Sequence, residues 1–127
     1  LLQIVLTTLQ VIGDIFLDGT WIGKLKNNNF KLRLNSNKTF QLTISNKNES
    51  QIFSYDGLYE HQIQKSPSTI SLIKIKGLNH PLHSVFRLIN SDSIRIAFFS
   101  NKNKFREINI TDNNSFGLKR NFKKSLK

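Results

Sequence analysis

The sequence predicts a single all-β domain, an antiparallel up-and-down barrel of eight or nine short strands preceded by a short apolar helix. From Gly19 onward, apolar and polar residues alternate with a period of two, which is typical of strands with one buried and one solvated face. Clusters of Asn, Ser and Lys interrupt this alternation at intervals of about ten residues and indicate turns. Because the connections are short, consecutive strands should pair as a meander. Such a sheet has two exposed edge strands unless its first and last strands pair and close it into a barrel.

The N-terminal segment, residues 1–17, differs from everything after it. It has no charged residue before Asp14, and its polar residues, with the exception of Thr8, form one narrow stripe of a helix: Gln3, Thr7, Gln10 and Asp14. We therefore predict a helix over residues 2–13.

This uncharged stretch is thirteen residues long, whereas a membrane-spanning helix needs roughly twenty. Three interpretations stay open for residues 1–17. The segment closes one end of the barrel or packs on a protein partner, or it is the end of a transmembrane helix that starts before Leu1, or it is the apolar part of a signal peptide. The last two favour a membrane-associated or exported protein.

The barrel domain is predicted to span residues 18–121. The first three strands are separated by Asn27–Asn29 and by Asn35–Lys38, and their inward faces are apolar. Later strands are predicted over residues 51–60, 69–75, 84–89, 93–100, 105–110 and 115–120, with Gly57 as a bulge or bend in the first of these. Residues 122–127 are predicted to form a basic tail.

Trp21 and Arg120 are the two residues that test closure. Trp21 lies on the inward face of the first strand, and Arg120 shares the parity of Phe116 and Leu118 in the last, so it should also point inward. A buried guanidinium needs partners, and the face of an indole ring is a suitable one. Since the first and last strands are neighbours only in a closed sheet, this contact requires a barrel.

These residues carry a resemblance to a known family. Gly19-Thr20-Trp21, following a short helix-like segment, resembles the Gly-x-Trp signature of lipocalins and related calycins, and Leu118-Lys119-Arg120 is similar to their late arginine element. The resemblance implies an eight-stranded barrel in which Gly19, Trp21 and Arg120 form the structural signature at a closed end. It also implies an interior cavity for a small apolar ligand.

The predicted ligand-binding residues are the inward-facing apolar side chains. An equally open interpretation is that these side chains only fill a small barrel, as they do in other eight-stranded barrels. The candidates are Trp21, Leu25, Phe30, Leu32, Leu34, Phe40, Leu42, Ile44, Leu72, Ile96 and Phe98.

A second resemblance concerns the junction at the start of the barrel. An apolar helix leading into Gly19-Thr20-Trp21-Ile22-Gly23 is similar to certain bacterial antiphage effectors, in which transmembrane helices precede a minimal barrel that binds a cyclic nucleotide. This resemblance implies a membrane-tethered or complex-associated module, with residues 1–17 facing a membrane or a protein partner.

The sequence has no recognisable catalytic or metal-binding motif, so we expect no enzyme, cofactor or metal. Cysteine is absent, and His80 and His83 have no third ligand nearby in sequence. Asp56, Glu60 and His61 form the one acid–histidine neighbourhood, at a predicted strand end. The net charge of +11 comes from dispersed lysines, which favours an anionic surface over a specific nucleic acid as a partner.

Overall fold

The computed structural model describes residues 17–62, 68–101 and 110–121. Within them, antiparallel strands form a closed up-and-down barrel in which each strand pairs with its neighbours in sequence and β8 pairs with β1. This confirms the predicted fold class. The strands are β1 (Gly19–Leu25), β2 (Asn28–Leu34), β3 (Thr39–Ser45), β4 (Ile52–Gln62), β5 (Ser68–Ile73), β6 (Leu82–Asn90), β7 (Ser93–Ala97) and β8 (Ser115–Arg120).

The barrel closes along an antiparallel ladder between β1 and β8, in which Trp21 lies opposite Arg120 and Gly23 opposite Leu118. Gly23 faces inward at this seam, where a Cβ atom would lie 2.2 Å from the carbonyl oxygen of Gly117. Glycine at position 23 therefore lets the first and last strands approach closely enough to pair.

Most predicted strand boundaries agree with the structure to within two or three residues. The strand predicted over residues 93–100 is shorter, because β7 ends at Ala97. The register shift lies between Leu88 and Asn90 instead of at Gly57. At Gly57 a Cβ atom would lie 2.7 Å from the carbonyl oxygens of Ile73 and Lys74, so this glycine permits a close backbone approach.

Several predicted features lie outside the described residues. They include the helix over residues 2–13 and the basic tail over 122–127. The strand predicted over 105–110 also lies there, except for its last residue, which is not in a strand.

The interior of the barrel holds one hydrophobic core. At one end, which we call the Trp21 end, β1 begins and β8 finishes. At the other, which we call the Phe98 end, β1 finishes and Phe98 follows β7. The buried core side chains are Leu17, Trp21, Phe30, Leu32, Leu34, Phe40, Leu42, Tyr59, Ile70, Leu72, Ile75, Phe86, Ile94, Ile96, Phe116 and Leu118.

Candidate functional site

The Trp21 end is sealed by the chain that leads into β1. The Trp21 indole is fully buried, and its Nε1 donates a hydrogen bond of 3.0 Å to the carbonyl oxygen of Leu17. Leu17 is itself buried in the core. The indole therefore has a partner for its one polar atom, and the residue that provides it also covers the end of the barrel.

Arg120, on the neighbouring strand β8, also closes this end of the barrel. Its guanidinium carbon lies 4.3 Å from the centroid of the Trp21 ring, and its side chain is only 12% exposed. The guanidinium donates to the backbone carbonyls of Asp18 and Ser91 and forms an ion pair of 3.5 Å with Asp92. Burial lowers the pKa of Arg120, and the carboxylates of Asp92 and Asp18 oppose that shift. The predicted contact between Trp21 and Arg120 is confirmed.

Gly19 leaves the space that Arg120 occupies. Its φ angle is 129°, which side chains rarely adopt, and a Cβ atom there would lie 2.8 Å from Nη1 of Arg120. A larger residue at position 19 would therefore be strained by its backbone and would displace the guanidinium. In this chain, glycine two residues before Trp21 has a direct geometric role.

Tyr59 adds a polar link that was not predicted from the sequence. Its hydroxyl lies 3.1 Å from both Oδ1 of Asp18 and the carbonyl oxygen of Asn35. Burial, and secondly the charge of Asp18, raises the pKa of Tyr59 well above its ordinary value of 10.0. The alternation of Phe53, Tyr55 and Tyr59 was a signal that Tyr59 points inward, although it could not identify the partners.

The Phe98 end has a cluster of aromatic rings. Phe30 contacts Phe116 edge to face at 4.8 Å between centroids and stacks with Phe99 at 6.5 Å. Phe98 lies 6.1 Å from Phe116 and is 36% exposed, and Lys26 Nζ is 5.9 Å from its ring centroid. This end therefore offers apolar ring faces to solvent, beside a cation.

The predicted ligand-binding residues divide into two groups. Leu25 and Ile44 pack against the core but are partly exposed, and Phe98 is the most exposed of the set. The other eight are buried in the core: Trp21, Phe30, Leu32, Leu34, Phe40, Leu42, Leu72 and Ile96. The solvent-accessible members of the predicted set thus lie at the far end of β1, at the end of β3 and just after β7.

The outer face of the barrel carries a groove of about 920 Å³. Gly117 faces this groove, and a Cβ atom there would meet no atom within 4 Å. Apolar side chains and lysines line it together, among them Ile22, Ile52, Ile89, Lys24, Lys31 and Lys119. The alternation of the strands predicted an inward-facing site, and this groove on the outer face was not predicted.

The histidines take part in local contacts. Nδ1 of His83 lies 2.8 Å from Oγ of Ser71, and the His83 backbone pairs with Ser100. Nδ1 of the exposed His80 lies 3.2 Å from the carbonyl oxygen of Pro81. Over the part of the chain that the structure describes, no three His, Asp or Glu side chains are close enough together to hold a metal ion.

Within the described ranges, no helix is both long and apolar enough to cross a membrane. Comparison of the sequence with protein-family models and with curated protein sequences finds no match. The fold and the geometry of the two barrel ends are therefore the basis for a functional proposal.

Proposed function

We propose that this barrel is a non-enzymatic, lipocalin-like binding protein that holds a small, largely apolar ligand at its Phe98 end. The difference between the two ends carries the proposal. At the Trp21 end, Leu17, Trp21 and Arg120 close the barrel. At the Phe98 end, solvent reaches three apolar side chains that were predicted to face inward: Leu25, Ile44 and Phe98.

Two features of the Phe98 end suit such a ligand. The rings of Phe98 and Phe99, which solvent reaches, supply flat apolar contact area that favours apolar or aromatic groups. Lys26, beside Phe98, places one positive charge at the rim. Its ammonium group would donate a hydrogen bond to one anionic or polar group of the ligand. A packed core below these residues restricts the ligand to a small molecule at the mouth of the barrel.

The experiment is a titration with N-phenyl-1-naphthylamine, a neutral fluorescent probe of apolar sites. We expect saturable binding, and we expect Phe98→Ser to weaken it roughly tenfold because the ring's buried area is lost. Ile89→Ser is the matched control, because Ile89 is an exposed apolar residue of the outer groove. Equal weakening by both substitutions, or no saturable binding, would refute the proposal.

Native mass spectrometry of the purified chain, before and after solvent extraction, gives an independent answer. A co-purifying small molecule that extraction removes, and that Phe98→Ser protein lacks, is the expected result. A bound molecule that is equally present in Phe98→Ser protein would place the site elsewhere.

A second candidate is a barrel module tethered to a membrane or to a larger assembly through residues 1–17, including the cyclic-nucleotide-sensing arrangement. It is favoured by the position of Leu17, which lies at the Trp21 end of the barrel. A tether that precedes Leu17 would therefore attach at that end and would leave the Phe98 end accessible. Carbonate extraction of cell membranes containing the full-length gene product tests it. Retention in the membrane fraction is expected, and release into the soluble fraction would remove the membrane version.

A further inference from the structure

The groove on the outer face of the barrel combines exposed aliphatic side chains with positive charge. Among the described residues, five large hydrophobic side chains are exposed, and three of them line this groove: Ile22 at 41%, Ile52 at 57% and Ile89 at 55%. Scattered exposed apolar residues are ordinary, but a concentration of them on one surface indicates an interaction site.

The charge of this surface is predominantly positive. Strands β8, β1 and β2, which are adjacent in the barrel, contain lysines and arginines but no Asp or Glu. Arg120 is directed inward and Arg95 at the groove edge is paired with Asp112. Glu49 is the one acid that lines the groove. The ion pairs among the described residues involve none of the three lysines that line the groove.

The strand register places charge directly beside apolar surface. Ile22 is opposite Lys119 on one side and Lys31 on the other, so two lysines flank one exposed isoleucine across three strands. On its other side Lys31 is opposite Thr43, and Lys119 is opposite Ser93, so neither lysine has an acid opposite it in the sheet. An anionic partner would supply the missing negative charge, and an apolar one would cover the isoleucines.

We propose that this groove docks on the surface of a bilayer that contains anionic phospholipid. The lysines would lie among the phosphate and carboxylate headgroups, and the three isoleucines would enter the boundary of the acyl chains. The lining favours a bilayer over a nucleic acid, because its exposed apolar residues are aliphatic, whereas single-stranded nucleic acid is bound by stacking on aromatic rings.

The test measures co-sedimentation of the full chain with vesicles of phosphatidylcholine alone and of phosphatidylcholine mixed with phosphatidylserine. Binding should need phosphatidylserine and should fall as salt is raised. The Lys31→Gln/Lys119→Gln variant should bind about 25-fold more weakly, at about fivefold per lysine. Lys74→Gln/Lys76→Gln makes the same change in net charge at exposed residues outside the groove lining, and it should change binding less than about twofold.

Gly117 supplies a second, matched pair of variants. Gly117→Glu places a negative charge in open space within the groove, whereas Gly117→Gln adds the same bulk without charge. The glutamate variant should bind phosphatidylserine vesicles several-fold more weakly than the glutamine variant. Equal binding by the two would overturn the proposal, because no structural clash distinguishes them.

The apolar part of the proposal is tested with Ile22→Ser/Ile89→Ser, which should weaken vesicle binding about tenfold or more. A DNA duplex and a DNA single strand are titrated in parallel. Three results would contradict the proposal: binding to phosphatidylcholine alone that matches binding to the mixed vesicles, equal losses in the two lysine variants, or tighter binding of DNA that is insensitive to the isoleucine changes. Loss confined to the groove variants, on phosphatidylserine vesicles, is the result that we expect.

Discussion

The guanidinium of Arg120 lies 4.3 Å from the centre of the Trp21 ring, although the two residues are 99 positions apart in the sequence. The same two residues are opposite one another in the ladder between β1 and β8. Strand pairing and side-chain contact therefore act together at the seam. The end of the barrel that they close is the end that Leu17 covers.

Replacing Arg120 should destabilise the barrel more than replacing a surface arginine. In Arg120→Met the cation over the Trp21 ring is lost, and so are the hydrogen bonds to backbone carbonyls and the ion pair with Asp92. We expect the free energy of unfolding to fall by about 2–4 kcal/mol. Arg120→Lys should recover only part of this loss, because an ammonium group cannot make the same set of directed contacts. Urea denaturation measures both, and a loss below about 0.5 kcal/mol in Arg120→Met would contradict the role assigned here.

Gly19→Ala tests the space that glycine leaves for Arg120. The added Cβ would lie 2.8 Å from the guanidinium, on a backbone with a φ angle of 129°, so we expect a loss of about 2–3 kcal/mol. Gly117→Ala is the control, because a Cβ there meets nothing within 4 Å. It should change stability by less than about 1 kcal/mol. Similar losses for the two variants would show that close packing at Gly19 is unimportant.

Tyr59 should make stability depend on alkaline pH. Its pKa is raised in the folded chain, so the folded state holds the phenol proton more tightly than the unfolded state does. The stabilisation is complete below the unfolded pKa of about 10 and is lost progressively as the pH rises above it.

Tyr59→Phe removes this titration and should have a shallower decline in stability above pH of about 10. At neutral pH the same variant should be less stable by about 1 kcal/mol, because the hydroxyl contacts with Asp18 and Asn35 are lost. Thermal unfolding across the pH range measures both effects, with Tyr55→Phe as the control. If stability declines with pH at the same rate in the wild-type chain and in Tyr59→Phe, Tyr59 is not the group that titrates.

The absence of cysteine permits a direct test of closure. Ile22 and Lys119 are paired across β1 and β8, so Ile22→Cys/Lys119→Cys should form a disulfide on mild oxidation. Thr43 pairs with Lys31, which pairs with Ile22, so Ile22→Cys/Thr43→Cys separates the thiols by two strand spacings, about 10 Å. That control pair should stay reduced. Thiol titration and gel mobility distinguish the two variants, and failure of Ile22→Cys/Lys119→Cys to oxidise would contradict a closed barrel.

The residues that the sequence predicted well are those whose positions follow from strand parity. Arg120 shares its parity with Phe116 and Leu118, and in a closed sheet that parity is enough to direct it toward Trp21. The same reasoning placed the inward faces of β1, β2 and β3, because each alternates regularly between turns.

Other features depend on registers that a single sequence does not contain. Tyr59 of β4 meets Asp18, which precedes β1, across 41 positions, and β1 and β4 are not neighbours in the barrel. The difference in exposure between Trp21 and Phe98 also has no local signal, since both were predicted to face inward. It arises because Leu17 covers one barrel end, which the alternation of residues cannot reveal.

The functional difference between the two ends can be measured by methyl NMR of the isoleucine and leucine side chains during titration with N-phenyl-1-naphthylamine. Leu25 and Ile44 are partly exposed toward the Phe98 end, whereas Leu17 and Leu34 are buried near the Trp21 end. We predict that the methyl signals of Leu25 and Ile44 shift with the probe and that those of Leu17 and Leu34 do not. Shifts centred on Leu17 and Leu34, or confined to the outer-face methyl groups of Ile22 and Ile89, would contradict a ligand site at the Phe98 end.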